Sequence, residues 1–322
     1  MKRGIAFSQI YCSFKVDTVL LYKEKAHMGK VPARDLILVR HLPSVANKAI
    51  HEIIQEHAFH MSELLRRVPH PQYRLTQEGA DKGVEIGEFL RSEFPKIDWC
   101  YSSDMDRAIE TALIFTPRGA YYEPEDRYLG FQITGRLRER FWGDLEQPGW
   151  KHAELVEEHR KIREGVDTFE LKLPNGEKLA VRRIEDIFTW VPPNGEPFVV
   201  TQGRACDVLR DAHARKFKNP CFYTHGDWIL AAMSVLENKT SLDTNGKYLW
   251  RDRIPDNGSI IHYHVGELDE DNPKAHNPFY FEWVRETSRD HPTEFGPVRE
   301  IRHSCRTPEE MWAFINQHPR IL

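Results

Sequence analysis

At 322 residues, with 40% hydrophobic and 11% aromatic side chains, the chain has enough apolar material for one large or two ordinary domains, which excludes wholesale disorder. A formal net charge of −4 excludes a general affinity for nucleic acid but leaves room for a local basic pocket, since binding is local and charge is counted globally. The five cysteines (Cys12, Cys100, Cys206, Cys221 and Cys305) are scattered without zinc-like spacing and read as free thiols of a reducing, cytoplasmic compartment. Residues 1–30 lack a long apolar core before a small-residue cleavage site, and no run of about 18 apolar residues occurs, so neither a signal peptide nor a membrane partner is expected.

In chain order, residues 1–34 read as an N-terminal extension, and "LILV" (36–39) as the first buried strand, followed at once by Arg40 and His41. Residues 49–73 read as a helical insertion. "LTQEGADKGVEIGEFLRSEF" predicts a helix capped by Thr76, with Val84, Ile86, Phe89 and Leu90 apolar. Gly79, Gly83 and Gly87 share one face of it; each costs a helix interior about 1 kcal/mol relative to alanine, which predicts close packing against another backbone. "IDWCY" (97–101) is a second strand. It leads into "SSDMDRAIETALIF", where Ser103 and Asp106 predict a capping-box start, Met105, Ile109, Ala112 and Leu113 an apolar face, and Arg107 a place in the first turns. "CFYT" (221–224) and "SIIHYHV" (259–265) complete the strands. Residues 271–322 form an extension expected to pack on the main domain, with a helix start at Thr307, Pro308 and Glu310. Strands alternating with helical stretches over 35–270 predict an α/β, three-layer domain whose mostly parallel sheet is flanked by helices.

The reactive residue types collect at the predicted boundaries. Arg40 and His41 follow the first strand, Arg107 follows the second, His225 follows "CFYT", and Glu139 lies in "LRERFWGDLE". Strand C-termini of a parallel sheet converge on one crevice, so two arginines, two histidines and a carboxylate would meet there. Arginine forks suit a phosphate dianion, a neutral imidazole can attack phosphorus, and a carboxyl group can protonate the leaving oxygen. Each residue also has an ordinary reading. Arg107 could pair with Asp104 or Glu110, Glu139 could join a surface salt bridge among Arg136, Arg138 and Arg140, and both histidines could be core residues.

Taken together, the motifs resemble the histidine phosphatase superfamily, the phosphoglycerate-mutase-like proteins. Its Arg-His-Gly-x-Ser opening with a following asparagine is similar to Arg40, His41, Leu42, Pro43, Ser44 and Asn47. "LTQEGADKG", "YSSDMDRAIETA", "LRERFWGDLE", "PNGEKL" and "YTHGD" resemble the later segments in the family's order. The resemblance implies a phosphoglycerate-mutase-like fold and a phosphomonoester hydrolase that needs no metal or other cofactor. It implies His41 as a transient phosphohistidine and Arg40 and Arg107 as phosphate clamps, with His225, Ser44 and Asn47 completing the phosphate site. Glu139 is the implied proton donor, with Asp227 of "HGDW" the second candidate. The implied partner is a phosphorylated small molecule or a phosphoprotein. Leu42 departs from the family's glycine, and Lys178 stands where many relatives carry serine, which leaves Glu177 without a clear role. Glycolytic mutases carry tryptophan before the asparagine and a Gly-Trp-x-Asp stretch soon after it. Here Ala46 precedes Asn47, and no such stretch occurs in the 28 residues between Asn47 and Thr76, which favours a phosphatase over a mutase. Leu42 would be the signature of a third reading, a catalytically silent phosphate-binding scaffold.

Rival phosphate chemistries fit less well. "DMDR" has the two aspartates of haloacid-dehalogenase-type phosphatases, but Ala108 follows where those carry threonine or valine. No cysteine has arginine six residues later, and no Gly-rich loop ends in Lys-Ser or Lys-Thr. His57 with His60, and His262 with His264, have usable metal spacings but no adjacent acidic or cysteine set, so solvent exposure is expected for them. Arg66, Arg67 and Arg74 are candidates for reading a second anionic group.

Overall fold

The computed structural model describes residues 30–48, 70–116, 131–141, 143, 168–172, 178–182, 195–237 and 254–301. The insertion as far as residue 69, including Arg66 and Arg67, lies outside these residues, as do Glu177 and the helix start at Thr307. Residues 45–48 are helical, and eleven strands and four α-helices with both ends are described. They are β1 (Lys30–Val31), β2 (Arg34–Arg40), α1 (Gln77–Glu93), β3 (Trp99–Ser102), α2 (Asp106–Phe115), β4 (Gln132–Ile133), β5 (Thr168–Lys172), β6 (Lys178–Arg182), α3 (Phe198–Ala214), β7 (Pro220–Thr224), α4 (Gly226–Leu236), β8 (Ile260–Val265), β9 (Leu268–Asp269), β10 (Trp283–Glu286) and β11 (Arg299–Glu300).

Seven strands form the central sheet in the order β11-β10-β8-β2-β7-β3-β4, and the short pairs β1-β9 and β5-β6 lie outside it. Residues of β2 alternate between two cores, as the two-residue period of a strand requires. Leu36 and Leu38 face a cluster built with α3 and α4, containing Phe198, Val208, Trp228 and Ile229. Ile37 and Val39 face the other, built with α1 and α2 and containing Ile86, Leu90, Ala112 and Phe115. Helices therefore cover both faces, which is why β2 reads as a continuous apolar run rather than an alternating one.

The sheet is mixed. β2, β7, β3 and β4 are parallel, whereas β8 runs antiparallel to β2, β10 to β8 and β11 to β10. The difference from a mostly parallel expectation lies in β8. Residues 254–258 bring the chain to the edge where β2 ends, with Gly258 N–H bonding to the carbonyls of Arg40 and His41, so β8 must run the opposite way. β10 and β11, within 271–301, extend the same sheet on that side.

Thr76 caps α1, its hydroxyl accepting from Gly79 N–H at 2.9 Å. Val84 is 53% exposed, whereas Ile86 and Leu90 are buried. The glycine face is tightly approached: a methyl at Gly79 would lie 2.5 Å from Pro43 O, and one at Gly87 would lie 3.1 Å from Phe115 Cα. At Gly83 the neighbour is a side chain, Leu42 Cδ1, at 2.3 Å. The expected capping box of α2 does not form. Met105 is the N-cap residue, without a side-chain bond, and Leu113 is exposed. The buried face of α2 instead carries Arg107, Ala108, Thr111, Ala112 and Phe115. Among the described residues no helix is long and apolar enough to cross a membrane.

Candidate active site

Register brings the two histidine motifs level. In the parallel β2-β7 pair Arg40 stands opposite Thr224, and His41 N–H bonds to Thr224 O at 2.9 Å. In β7-β3, Ser102 stands opposite Tyr223, and Ser103 N–H bonds to Tyr223 O at 2.9 Å. Residues one step past each strand end therefore share one edge. The rings of His41 and His225 lie with centroids 5.1 Å apart, and both are buried.

The hydrogen bonds of His41 assign its tautomer. Nδ1 lies 2.7 Å from Leu42 O, which can only accept, so Nδ1 carries the proton. Nε2 accepts from Arg107 Nε at 3.2 Å, as a nitrogen with a free lone pair must. Burial first, then the charges of Arg107 and Arg40, push the His41 pKa well below the ordinary value of 6.5, so the ring is neutral at neutral pH. Leu42 thus supplies through its carbonyl what a glycine there would supply. Its side chain turns into the core, in space left by Gly83 and by Gly258, whose φ of +85° also suits glycine.

Arg107 is 3% exposed, and the two carboxylates expected to pair with it are bonded elsewhere: Asp104 to Arg138 at 2.6 Å and Glu110 to Arg74. Its guanidinium also donates to His70 O at 3.1 Å. Arg74, paired with Glu110, stays exposed.

His225 is the N-cap residue of α4, and its Nε2 lies 2.8 Å from Ser103 Oγ. That hydroxyl also accepts from Met105 N–H at 3.3 Å; with its own proton turned to Nε2, Nδ1 is the protonated nitrogen of His225. Burial, followed by the Arg107 charge, holds the His225 pKa well below 6.5. Arg40 donates through Nη1 to Pro255 O, and its guanidinium lies against Gly226, where an added methyl would be 3.4 Å from Cζ. Burial lowers the Arg40 pKa, and the negative charges of Glu139, Asp227 and Asp256 act against that. His225 Nδ1 and Arg40 Nε are buried with no hydrogen-bond partner among the described residues. Two such donors beside the first turn of α4, where helix amides point outward, suit an anion.

Glu139 sits at the same helix start. Its Oε1 accepts from Asp227 N–H at 2.9 Å and from Arg140 N–H at 3.3 Å. The neighbouring arginines are turned to other groups: Arg136 to Asp211, Arg138 to Asp104 and Arg140 Nε to Glu196 O. Glu139 is therefore placed toward the histidine edge rather than in the expected surface salt bridge. Ser44 and Asn47 face each other, with Ser44 N–H and Oγ donating to Asn47 Oδ1 at 3.1 and 2.7 Å.

Sequence reasoning missed two groups that hold the His41–Leu42 backbone. Asn257 Nδ2 donates to His41 O at 3.0 Å and to Asn47 Oδ1 at 3.3 Å. The signal was the "DNG" turn just before β8, readable only if that strand is taken as antiparallel. Thr111 Oγ1 accepts from Leu42 N–H at 3.0 Å while donating to Arg107 O at 2.7 Å.

The expectation that His262 and His264 are solvated is overturned. Both bond to Asp35 Oδ1 at 2.7 Å, and with it form the one group of three possible metal ligands among the described residues. Arg285 Nε donates to His262 Nδ1 at 3.1 Å, so His262 carries its proton on Nε2 and donates it to Asp35. Metal ligation through Nε2 would require the other tautomer, which would set two donors against each other, so the cluster fits a hydrogen-bond chain and not a metal.

Comparison with known proteins agrees with this architecture. The histidine phosphatase superfamily (branch 1) matches over residues 60–270. The chain belongs to that superfamily. The matched span begins beyond Arg40 and His41, so their part in the site rests on the geometry above. Solved structures similar to the chain include mycobacterial hydrolase 1, at 18% identity over 74% of this chain and 97% of that one with a TM-score of 0.48. A mycobacterial glucosyl-3-phosphoglycerate phosphatase is similar over the same shares, at 18% identity and a TM-score of 0.48. Mycobacterial hydrolase 2 follows at 18% identity over 72% and 82%, with a TM-score of 0.46. No curated protein matches the sequence.

Proposed function

We propose that the protein is a metal-independent phosphomonoester hydrolase that works through a phosphohistidine on His41. The observation carrying this reading is a neutral His41, fixed as its Nδ1–H tautomer by Leu42 O, beside two arginines and a second neutral histidine. Nε2 attacks phosphorus as the bond to the leaving oxygen breaks, and Glu139 gives that oxygen its proton, releasing an alcohol. Water then attacks the phosphohistidine and yields its proton to Glu139. The N–P bond breaks, and inorganic phosphate and neutral His41 result. Arg40, Arg107 and His225 Nδ1 hold the phosphoryl oxygens as charge shifts onto them. Asn47 Oδ1 is occupied by Ser44 and Asn257, which leaves Asn47 Nδ2 to donate to the phosphate while Ser44 braces the loop. Glu139 is preferred to Asp227 as the acid because it is half-exposed, within reach of leaving group and water, whereas Asp227 is buried.

The test is phosphate release from a panel of phosphomonoesters, small metabolites and phosphopeptides together, in the presence of chelator. Turnover that survives chelation, with an acid-labile phosphoenzyme that disappears in His41→Ala, is expected. Turnover that persists in His41→Ala, or is lost to chelator, would overturn the reading.

A further inference from the structure

We infer that Arg204, held by Glu196, is a positioning residue that fixes the proton-donating carboxylate in place. The inference rests on the reading of Glu139 as the acid. Residues 138–141, which carry Glu139, belong to neither helix nor strand, so their carbonyls have no ladder to satisfy them. Arg204, on α3, supplies the partners. Its Nη1 donates to Arg138 O at 2.7 Å and Arg136 O at 3.4 Å, and its Nη2 donates to Glu139 O at 3.3 Å. Glu196 Oε1 accepts from the same Nη2 and from Thr201 Oγ1, while Glu196 N–H bonds to Phe141 O at 2.8 Å. Glu196 and Arg204 thus grip the segment from residue 136 to residue 141.

Two further anchors hold the part before Glu139: Thr224 Oγ1 to Leu137 O at 2.7 Å, and Trp228 Nε1 to Arg136 O at 2.8 Å. Among the described residues, Arg204 is the side chain that bonds to the carbonyl of Glu139 itself. None of its hydrogen bonds among the described residues reaches Arg40, His41, Arg107 or His225, so its effect on the reaction passes through the segment that carries the acid. A planar fork meets carbonyls on successive residues in one fixed geometry, which lysine, a point charge on a flexible stem, does not impose. A displacement of about 1 Å at a reacting group can lower the rate by about 10²-fold.

The experiment measures kcat/KM for glycerol phosphate, whose poor leaving group needs a proton, and for p-nitrophenyl phosphate, whose leaving group does not. The quantity kcat/KM reports the steps through leaving-group departure and is blind to later hydrolysis of the phosphoenzyme. Wild type, Arg204→Lys, Glu139→Gln and the double variant are compared, with Glu196→Gln as a second, milder way to loosen Arg204. Arg204→Lys is expected to lose about 10- to 100-fold on glycerol phosphate and less than about threefold on p-nitrophenyl phosphate. The double variant should be no slower than Glu139→Gln alone, since a displaced acid and a missing one are equivalent. Equal losses on both substrates, or losses that multiply in the double variant, would overturn the positioning role. If Glu139→Gln itself slows both substrates alike, the assignment of the acid fails first and the inference falls with it.

Discussion

Leu42 and Gly83 form a coupled pair whose substitution effects should change sign with context. Leu42 is 0% exposed, and its Cδ1 lies 2.3 Å from where a Gly83 methyl would be. Leu42→Ala should cost about 2–5 kcal/mol, the range for deleting a buried leucine, because the helix backbone at Gly83 is already held and cannot collapse into the space. Gly83→Ala alone gains about 1 kcal/mol of helix propensity but overpacks the site, which costs about 1–3 kcal/mol, so it should be neutral to destabilising by about 2 kcal/mol. In the Leu42→Ala background the obstructing atom is gone. Of the close neighbours, Ile114 Cγ2 remains at 3.3 Å, and the same Gly83→Ala should stabilise by about 1 kcal/mol. Urea unfolding of the four proteins measures the cycle. Activity should survive in Leu42→Ala wherever the protein is folded, since the bond orienting His41 comes from the backbone carbonyl. A Gly83→Ala effect of equal size and sign in both backgrounds would refute the packing argument, and a folded but inactive Leu42→Ala would refute the carbonyl argument.

The remaining predictions concern Asn257 and the proton balance of the buried histidines. Asn257→Ala removes the donor to His41 O and Asn47 Oδ1; it should lower kcat/KM about 10-fold or more on both good and poor leaving groups, because nucleophile placement matters to each. Equal activity to wild type would show that the 254–258 turn is merely structural. Since His41 and His225 resist protonation in the folded protein, kcat/KM, corrected for the second ionisation of the substrate near pH 6, should show no acid limb at a histidine's ordinary 6.5. A limb at that pH would mean that the imidazole is charged at rest. The same depression sets the direction of pH-dependent stability. Below 6.5 the unfolded chain takes up protons that the native histidines refuse, so stability falls as pH drops, by about 1.4 kcal/mol per pH unit for each such group. His213, lowered by burial to about 4, acts in the same direction. Denaturant unfolding at pH 7 and pH 5 checks this, and unchanged stability in His41→Ala against wild type across that window would contradict it.

Most of the site is legible in sequence because it is built from residues one step beyond strand ends. Once Arg40-His41, Ser103 and Thr224-His225 are each placed after an apolar run, a parallel sheet brings them together without any further information. The parts that escaped depend on pairings across elements, which no local pattern records. Asn257 reaches His41 only because β8 is antiparallel, and Asp35 meets His262 and His264 only through the β2-β8 register. Leu113 and Val84 fit an apolar helical face by spacing, yet both lie exposed, because the buried faces of α1 and α2 are offset from that pattern and include three glycines on α1 and Arg107 and Thr111 on α2.

The same distinction separates what the site does from what makes it possible. The polar residues that would touch phosphate announce themselves by type, and each alone admits an ordinary explanation. Their supports are bland in sequence: a leucine in a glycine's place, a threonine inside a helix, an arginine on α3. Leu42 looks like a defect in the motif until its carbonyl, rather than its side chain, is recognised as the group His41 uses, with Gly83 and Gly258 making room for the rest. A substitution at a motif position is therefore best judged by asking which atom of the original residue the chemistry needed. Here that atom is a backbone oxygen, which every residue carries, so what limited the choice was the space behind it.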